Sequence, residues 1–323
     1  MLRLVLSSAV AFSPSSSRAP AAAASHQMSG AALLDERYAA IAAAKPQQQA
    51  AYERWLGGVD TASLTAQAAA LGIDLDVRRG TISYSADFEA KRLPLEFDLM
   101  YVRHGKTTGN TEPRVYQGHV DDPSNALNEI GLAQAEEAAD KLDALGLSPD
   151  LVVLSPLSRA EQTGLAYVKR HTEFAARTEL WEDTAEMRFG GWDNVKVKDL
   201  EDTNICHLFY LAQNALVKSS APYVAPAGSR LAAGTTLESE SFVEVLVRMH
   251  AVLVKLNARA AALRAGGVGQ PLIVMYGHSM AGAALGVLTG QGKQVEGESF
   301  LGFDGKYILP NATPCFFHKI KKA

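Results

Sequence analysis

The stretch LEFDLMYVRHGKTTGN at residues 95–110 decides how this chain folds. Its first part, 95–102, is a largely apolar run bounded by charged and turn residues, which predicts a buried strand. The polar tripeptide Arg103-His104-Gly105 follows at once. Two further runs of this kind, DLVVLS at 150–155 and PLIVMY at 271–276, predict two more buried strands.

Helical patterns separate these strands. One helix is predicted from Asn128, a favourable N-cap, to Leu145, and Gly146 ends it. Its apolar positions are Leu132, Ala135, Ala139, Leu142 and Leu145. Further helices are predicted at 158–170, 237–263 and 281–289, with a last strand at 315–320. The alternation predicts an α/β fold of three layers, α/β/α, with a mainly parallel sheet.

Two of these predicted helices have further features. The long helix at 237–263 carries one apolar stripe, formed by Phe242, Val245, Leu246, Met249, Val252, Leu253 and Leu256. Gly164 stands inside the helix at 158–170, where glycine costs about 1 kcal/mol relative to alanine.

Composition excludes several classes of protein. The chain has 323 residues, enough for one or two domains, and a net charge of -4, which gives no electrostatic case for binding nucleic acid. No run reaches the roughly 18 apolar residues of a transmembrane helix. The only cysteines are Cys206 and Cys315, which excludes a disulfide scaffold and a cysteine-built metal site.

The N-terminal third divides into two segments. Residues 1–34 contain no Asp or Glu, and the stretch is rich in serine and alanine after a short apolar run. This pattern resembles the two-part plastid presequences of algae with secondary plastids, so we expect a disordered targeting peptide. A plastid is favoured over a mitochondrion; a secretory or cytoplasmic location, or a tail without an address, stays open. Residues 35–94 predict a partly helical accessory extension that serves packing or the contacts of a homo-oligomer.

Several side chains that can take part in catalysis follow the predicted strands. Arg103 and His104 follow the first, Arg159 the second, and His278 the third. The carboxyl ends of parallel strands share one edge of a sheet, so these groups should converge there. Guanidinium groups match phosphate oxygens, and a neutral imidazole can attack phosphorus. The segment WEDTAEMRFGGWDN at 181–194 offers carboxyl groups for proton transfer.

Five segments occur in the order seen in one family. They are RHGKTTGN (103–110), YQGHVDDPSNALNEIGLAQA (116–135), SPLSRAEQTGLAY (155–167), EMRFGGWDN (186–194) and YGHSM (276–280). In this order the chain resembles the histidine phosphatase superfamily, the phosphoglycerate-mutase-like proteins, over residues 95–320. The resemblance implies a catalytic domain at 95–323 with that family's fold.

The resemblance also implies roles for individual residues. His104 would be the nucleophile that becomes phosphohistidine, and Glu186 the acid that protonates the leaving group, although Glu182 or Asp183 could substitute for it. Arg103, Arg159 and His278 would hold the phosphoryl oxygens. The residues expected to contact the substrate are Thr107, Asn110, Gln117, Gly118 and Ser279. Chemistry of this kind needs neither a metal nor another cofactor.

The expected reaction is hydrolysis of a small phosphorylated metabolite. A phosphoglycerate mutase is the main alternative; residues 193–236 lack the arginine pair usual in that branch, which favours a phosphatase. A second alternative is an esterase in which Ser279 acts with Asp304 and His318, since GHSMA at 277–281 is close to a nucleophile elbow. A catalytically idle interaction domain is the remaining alternative.

Overall fold

The computed structural model describes residues 39, 43, 46–203 and 205–320, so the leader predicted at 1–34 lies outside the described residues. The helices are α1 Pro46–Gly57, α2 Thr61–Ala70, α3 Phe88–Lys91, α4 Glu129–Ala144, α5 Ser158–Arg170, α6 Val197–Thr203, α7 Ile205–Leu211, α8 Phe242–Ala265 and α9 Ser279–Leu288. The strands are β1 Ile73–Asp76, β2 Thr81–Tyr84, β3 Asp98–Arg103, β4 Leu151–Leu154, β5 Thr178–Leu180, β6 Tyr223–Val224, β7 Thr236–Leu237, β8 Leu272–Gly277, β9 Lys293–Gln294, β10 Leu301–Gly302 and β11 Cys315–His318.

The central sheet has the strand order β11-β3-β8-β4-β5. Its strands run parallel except β11, which pairs antiparallel with β3 at the edge. Alternate side chains of a strand point to opposite faces. Accordingly Leu99 and Tyr101 of β3 pack in the core with α8 and α9, whereas Met100 and Val102 pack in the core with α4 and α5. The predicted three-layer α/β/α fold is confirmed.

The helix predictions were right in part. α5 spans the predicted residues, and the predicted stripe of α8 is completely buried. The predicted start of α8 at Leu237 was wrong, because Ser241 and Glu244 form a capping box and the helix begins at Phe242.

The apolar face predicted for α4 was also partly wrong, since Leu132 and Leu145 are 52% and 56% exposed. The buried face instead consists mostly of small residues, Gly131, Ala135, Ala138, Ala139 and Leu142. Small side chains allow α4 to approach α5 closely, and hydrophobicity alone does not reveal such a face.

The extension packs into the same core as the sheet. Its hairpin β1–β2 joins β10 and β9 in a second, antiparallel sheet, with Ile82 opposite Leu301. Tyr52 of α1 stacks on Phe209 with ring centroids 3.7 Å apart, and its hydroxyl accepts a hydrogen bond from Asn214 Nδ2. The N-terminal extension therefore supports a segment that lies more than 200 residues later in the chain.

Gly164 is required by the contact between α5 and the sheet. A Cβ atom at this position would lie 2.3 Å from Leu154 Cδ2 and 2.9 Å from Tyr276 Cδ2. The sequence-based expectation that alanine would suit the helix better was therefore wrong at this position.

We predict that Gly164→Ala lowers the free energy of unfolding by about 1–3 kcal/mol, because overpacking outweighs the gain in helix propensity. Urea denaturation measures the change. Gly286→Ala in α9 is the matched control, since the nearest atom to a Cβ there is 3.8 Å away. This control should not lose stability. A Gly164→Ala protein as stable as the wild type would contradict the packing argument.

Candidate active site

The predicted residues converge at the carboxyl edge of the central sheet. β3 ends at Arg103 opposite Gly277 of β8, so His104 and His278 follow neighbouring strands, and their ring centroids are 5.4 Å apart. Arg159 enters from the first turn of α5, after β4. A cavity opens at this edge. Its polar wall is formed by Arg103, His104, Asn110, Arg114, Gln117, Gly118, Arg159, Glu186, Ser279 and Asp304.

The backbone and the ring of His104 are held in place from several directions. The backbone N–H donates to the Gly277 carbonyl at 2.9 Å, and the carbonyl accepts from Asn311 Nδ2 at 2.7 Å. Ring atom Nδ1 lies 2.7 Å from the Gly105 carbonyl, an acceptor, so Nδ1 carries the proton and Nε2 keeps a free electron pair.

The charge state of His104 suits a nucleophile. Burial, together with the positive charges of Arg159 and Arg103, holds the pKa of His104 well below its ordinary value. The imidazole is therefore neutral at physiological pH, and a neutral imidazole can form a bond to phosphorus.

Two buried guanidinium groups have donors left over beside His104. Arg103 Nη1 donates to the Leu309 carbonyl at 2.7 Å, and Arg159 Nη2 donates to the Gly118 carbonyl at 2.8 Å. The Nε atom of each finds no partner within the described part of the chain. Burial lowers the pKa of both groups, and the negative charge of Glu186 opposes this shift. An oxyanion in the cavity would satisfy these donors.

His278 is oriented by groups on both sides. Its Nε2 atom lies 2.6 Å from Ser155 Oγ, whereas Nδ1 is buried without a partner among the described residues. The Tyr101 hydroxyl bridges the backbone N–H and carbonyl of His278 at 2.6 and 2.8 Å. Burial and the charge of Arg159 hold the pKa of His278 well below its ordinary value. When the Ser155 hydroxyl donates to Nε2, the neutral ring carries its proton on Nδ1. This Nδ1–H group is then a further hydrogen-bond donor beside those of Arg103 and Arg159.

Glu186 occupies the N-terminus of α9. Its carboxylate accepts hydrogen bonds from Ser279 Oγ at 2.8 Å and from the backbone N–H groups of Met280 and Ala281 at 3.1 Å. Negative charge is favoured at a helix N-terminus. The carboxyl group is therefore fixed in the wall of the cavity that also contains His104.

A buried ion pair holds the loop that carries Glu186. Arg248 Nη1 donates to the carbonyls of Asp183 and Ala185 at 2.9 Å, and Nη2 donates to the carbonyl of Glu186 at 3.3 Å. Arg248 is paired with Glu240 at 2.7 Å. His119 Nε2 lies 2.9 Å from the same Glu186 carbonyl. These contacts fix the backbone from which the Glu186 side chain reaches the cavity.

The loop after His104 forms one side of the cavity. Asn110 lines it, and its Oδ1 atom is buried without a partner in the described chain. Gln117 also lines it and is fixed by Thr107 Oγ1, which donates at 2.9 Å, and by Asn125 Oδ1, which accepts at 2.6 Å. Thr107 itself is fully buried behind Gln117, outside the cavity wall. Gly118 has φ 42°, and a Cβ there would collide with Asp193.

Sequence reasoning missed other residues at this site. Arg114 lies in the loop between two recognised motifs and enters the cavity wall. Asn311 and Asp304 come from the segment after α9, where no recognised motif occurs. The basic character of Arg114 was a signal that could have been used. Asp304 was considered only as a member of the esterase alternative, and Asn311 had no signal.

The geometry contradicts the esterase alternative. Ser279 Oγ donates to Glu186, and His318 pairs with Leu99, four residues before Arg103 and thus roughly 13 Å along β3. The Ser279, Asp304 and His318 arrangement of a hydrolase is not formed.

Buried imidazoles should make stability depend on pH. Burial lowers the pKa of His119 to about 3 and that of His207 to about 4, and His104 and His278 are lowered too. Below about pH 6.5 these four rings gain protons only on unfolding, so stability falls as the pH falls. Burial raises the pKa of Asp193 and Asp304. These two carboxyl groups release protons on unfolding, so their contribution to the pH dependence of stability has the opposite sign.

The buried histidines predict that the free energy of unfolding falls as the pH falls from about 6.5 to 5, by up to about 1.4 kcal/mol per pH unit for each ring that is protonated only in the unfolded state. Urea titrations at several pH values measure this slope, and His207→Gln should reduce it by one proton. A slope of zero or of opposite sign would be inconsistent with the buried neutral rings.

Comparisons with known proteins show the family to which the chain belongs. The model of the histidine phosphatase superfamily, branch 1, matches residues 99–291. The chain belongs to the histidine phosphatase superfamily. A mannitol-1-phosphatase of Eimeria tenella is 41% identical over 295 residues, which is 87% of this chain and 94% of that protein. The chain is a phosphatase that hydrolyses phosphomonoesters of small metabolites, and the expectation of a phosphatase rather than a mutase is supported.

Solved structures of similar proteins include two further phosphatases. A mycobacterial glucosyl-3-phosphoglycerate phosphatase is 23% identical with a TM-score of 0.46, over 60% of this chain and 79% of that chain. An alpha-ribazole phosphatase of Shigella flexneri is 22% identical with a TM-score of 0.43, over 59% of this chain and 77% of that chain.

Within the described residues, no helix is both long enough and apolar enough to cross a bilayer.

Proposed function

We propose that this phosphatase hydrolyses the phosphate ester of a sugar alcohol, such as mannitol 1-phosphate, through a phosphohistidine at His104. The observation that carries the mechanism is the neutral His104, with a free Nε2, beside unpaired donors of Arg103, Arg159 and His278. The mannitol-1-phosphatase relative supports the substrate, because its similarity extends over most of both chains.

In the first step, Nε2 of His104 attacks phosphorus while the bond from phosphorus to the alcohol oxygen breaks. The N–H groups of Arg103, Arg159 and His278 stabilise the charge on the phosphoryl oxygens. Glu186, fixed at the start of α9, takes up the proton that the monoanionic phosphate ester brings into the site and gives it to the departing oxygen, so that a neutral alcohol leaves. The products of this step are the alcohol and phosphohistidine.

In the second step, the carboxylate of Glu186 takes a proton from a water molecule as that water attacks phosphorus. The bond between phosphorus and Nε2 breaks, phosphate leaves, and neutral His104 is restored. Glu186 passes the proton from water on to the departing phosphate, and both residues are ready for another turnover.

A substrate panel tests the proposal. Purified protein is assayed for phosphate release from mannitol 1-phosphate, other hexitol and hexose phosphates, 3-phosphoglycerate and 4-nitrophenyl phosphate. We expect the largest kcat/KM for a hexitol phosphate. Formation of 2-phosphoglycerate without phosphate release would instead identify a mutase, and a best substrate without hydroxyl groups would refute the sugar-alcohol assignment.

We also propose that residues 1–34 direct the protein to a plastid; the absence of acidic residues after a short apolar run supports this. A fusion of residues 1–40 to a fluorescent reporter should co-localise with a plastid marker in a plastid-bearing cell. A cytosolic reporter would refute the proposal.

A further inference from the structure

Asp304 is a buried acidic residue in the wall of the catalytic cavity that the mechanism does not use. It is 7% exposed and lines the cavity together with His104, Glu186 and Arg114. It also lies beyond residue 291, where the match to the family model ends. Asp304 therefore lies outside the segment that the family model matches.

The position of Asp304 is set by the N-terminal extension and by Gln213, which follows α7. β10 ends two residues before it and pairs with β2, where Leu301 lies opposite Ile82. Gln213 Oε1 accepts the backbone N–H groups of Phe303 and Asp304 at 2.8 and 3.2 Å. Phe303 stacks on Phe242 with ring centroids 4.2 Å apart. The carboxyl group thus projects from a rigidly supported backbone.

The sizes of two cavities place the leaving group near Asp304. The catalytic cavity has a volume of about 60 Å³. At about 10–15 Å³ per water-sized atom, that volume suits one phosphoryl group. Asp304 also lines a neighbouring cavity of about 420 Å³, together with Gln213, Phe300 and Tyr307. The larger cavity has the room for a carbon chain that the first lacks.

The charges near Asp304 suit a neutral, hydroxylated group. Burial raises the pKa of Asp304, and the charge of Arg114 opposes that shift. Arg114 forms no salt bridge among the residues of 46–203 and 205–320. A carboxyl group accepts hydrogen bonds from hydroxyls, and a guanidinium donates to their oxygens. A second phosphate group on the substrate would contact the acidic Asp304 as well as Arg114. A neutral polyol therefore fits these two residues better.

We propose that Asp304 determines substrate specificity by accepting hydrogen bonds from hydroxyl groups of a polyhydroxylated leaving group, with Arg114 as its partner. This proposal rests on the proposed function, since it concerns the leaving group of that reaction. Under this proposal, the extension positions Asp304 for substrate recognition through the pairing of β2 with β10.

The test compares two substrates in two variants. For Asp304→Asn, we expect the ratio of kcat/KM for a hexitol phosphate to that for 4-nitrophenyl phosphate to fall about 10–100-fold, the effect of losing a buried hydrogen bond to a substrate hydroxyl. Asp74→Asn is the matched control, because Asp74 is exposed on β1 of the same antiparallel sheet. This control should leave the ratio within about twofold of the wild type.

Analogues of the substrate make the result specific. Removing the recognised hydroxyl in a deoxyhexitol phosphate should cost the wild type a similar factor and cost Asp304→Asn much less. A ratio that Asp304→Asn leaves unchanged, or equal losses on both substrates, would overturn the proposal, because a purely structural residue affects both alike. If the wild type does not favour hexitol phosphates, the proposed function fails; the ratio measured with glycerol phosphate or a hexose phosphate still tests Asp304.

Discussion

Replacement of His104 by alanine is expected to lower kcat by at least ~10⁴-fold on every phosphoester, because the variant has no atom that can form the bond to phosphorus. The ring of His104 lines the cavity together with Arg103 and Arg159, whose Nε atoms have no partner among the described residues, and its own Nε2 is free. Steady-state kinetics with 4-nitrophenyl phosphate and with a hexitol phosphate measure the loss.

Trapping of the phosphoenzyme shows whether the loss has this cause. Wild-type protein mixed with radiolabelled substrate and quenched in alkali should carry acid-labile phosphate, and His104→Ala should carry none. His171→Ala is the matched control, since His171 pairs with Asp143 far from the cavity wall. A labelled His104→Ala protein, or one with wild-type turnover, would exclude His104 as the nucleophile.

The second large effect is expected from Glu186→Gln. The glutamine keeps the size of the side chain but cannot give a proton, so kcat for a hexitol phosphate should fall about 10²–10⁴-fold. With 4-nitrophenyl phosphate the rate of the first step should fall much less, because the 4-nitrophenolate leaving group is stable without a proton. Phosphoenzyme should therefore accumulate with the aryl ester, because the second step still needs Glu186 to activate water.

Glu182→Gln and Asp183→Asn are the matched controls for Glu186→Gln. These carboxylates stand four and three residues earlier, and they pair with Arg230 and Lys255 at 2.8 and 3.2 Å. Both variants should keep kcat within about twofold. If Glu182→Gln or Asp183→Asn reproduced the leaving-group dependence, the acid would have to be reassigned.

The central part of this site could be predicted because its chemistry restricts which residues can serve. Strand periodicity located the carboxyl edge of the sheet, and Arg103, His104, Arg159 and His278 follow strands in a recognisable order. The structure places Arg103, His104 and Arg159 in the wall of one cavity, and the ring of His278 lies beside that of His104. Glu186 was harder to distinguish, because three acidic residues occur within five positions and only the contact with α9 separates them.

The remaining features depend on contacts between distant segments. Arg248 supports Glu186 from a helix more than 60 residues away, and Asn311 holds the His104 carbonyl from 207 residues away. No local pattern encodes such pairs. The close approach at Gly164 likewise depends on Leu154 and Tyr276, so helix propensity gave the wrong sign there.

The pairing of β2 and β3 with strands near the end of the described chain has a consequence for biosynthesis. β3 and the nucleophile are translated early, yet Ala312 N–H binds the Arg103 carbonyl, and β11 covers the edge of β3. β2 must likewise wait for β10, which leaves the ribosome 219 residues later. A nascent chain therefore holds the phosphate-binding residues without a finished active site. β2 and β3 therefore each keep an unpaired edge until β10 and β11 have been synthesised.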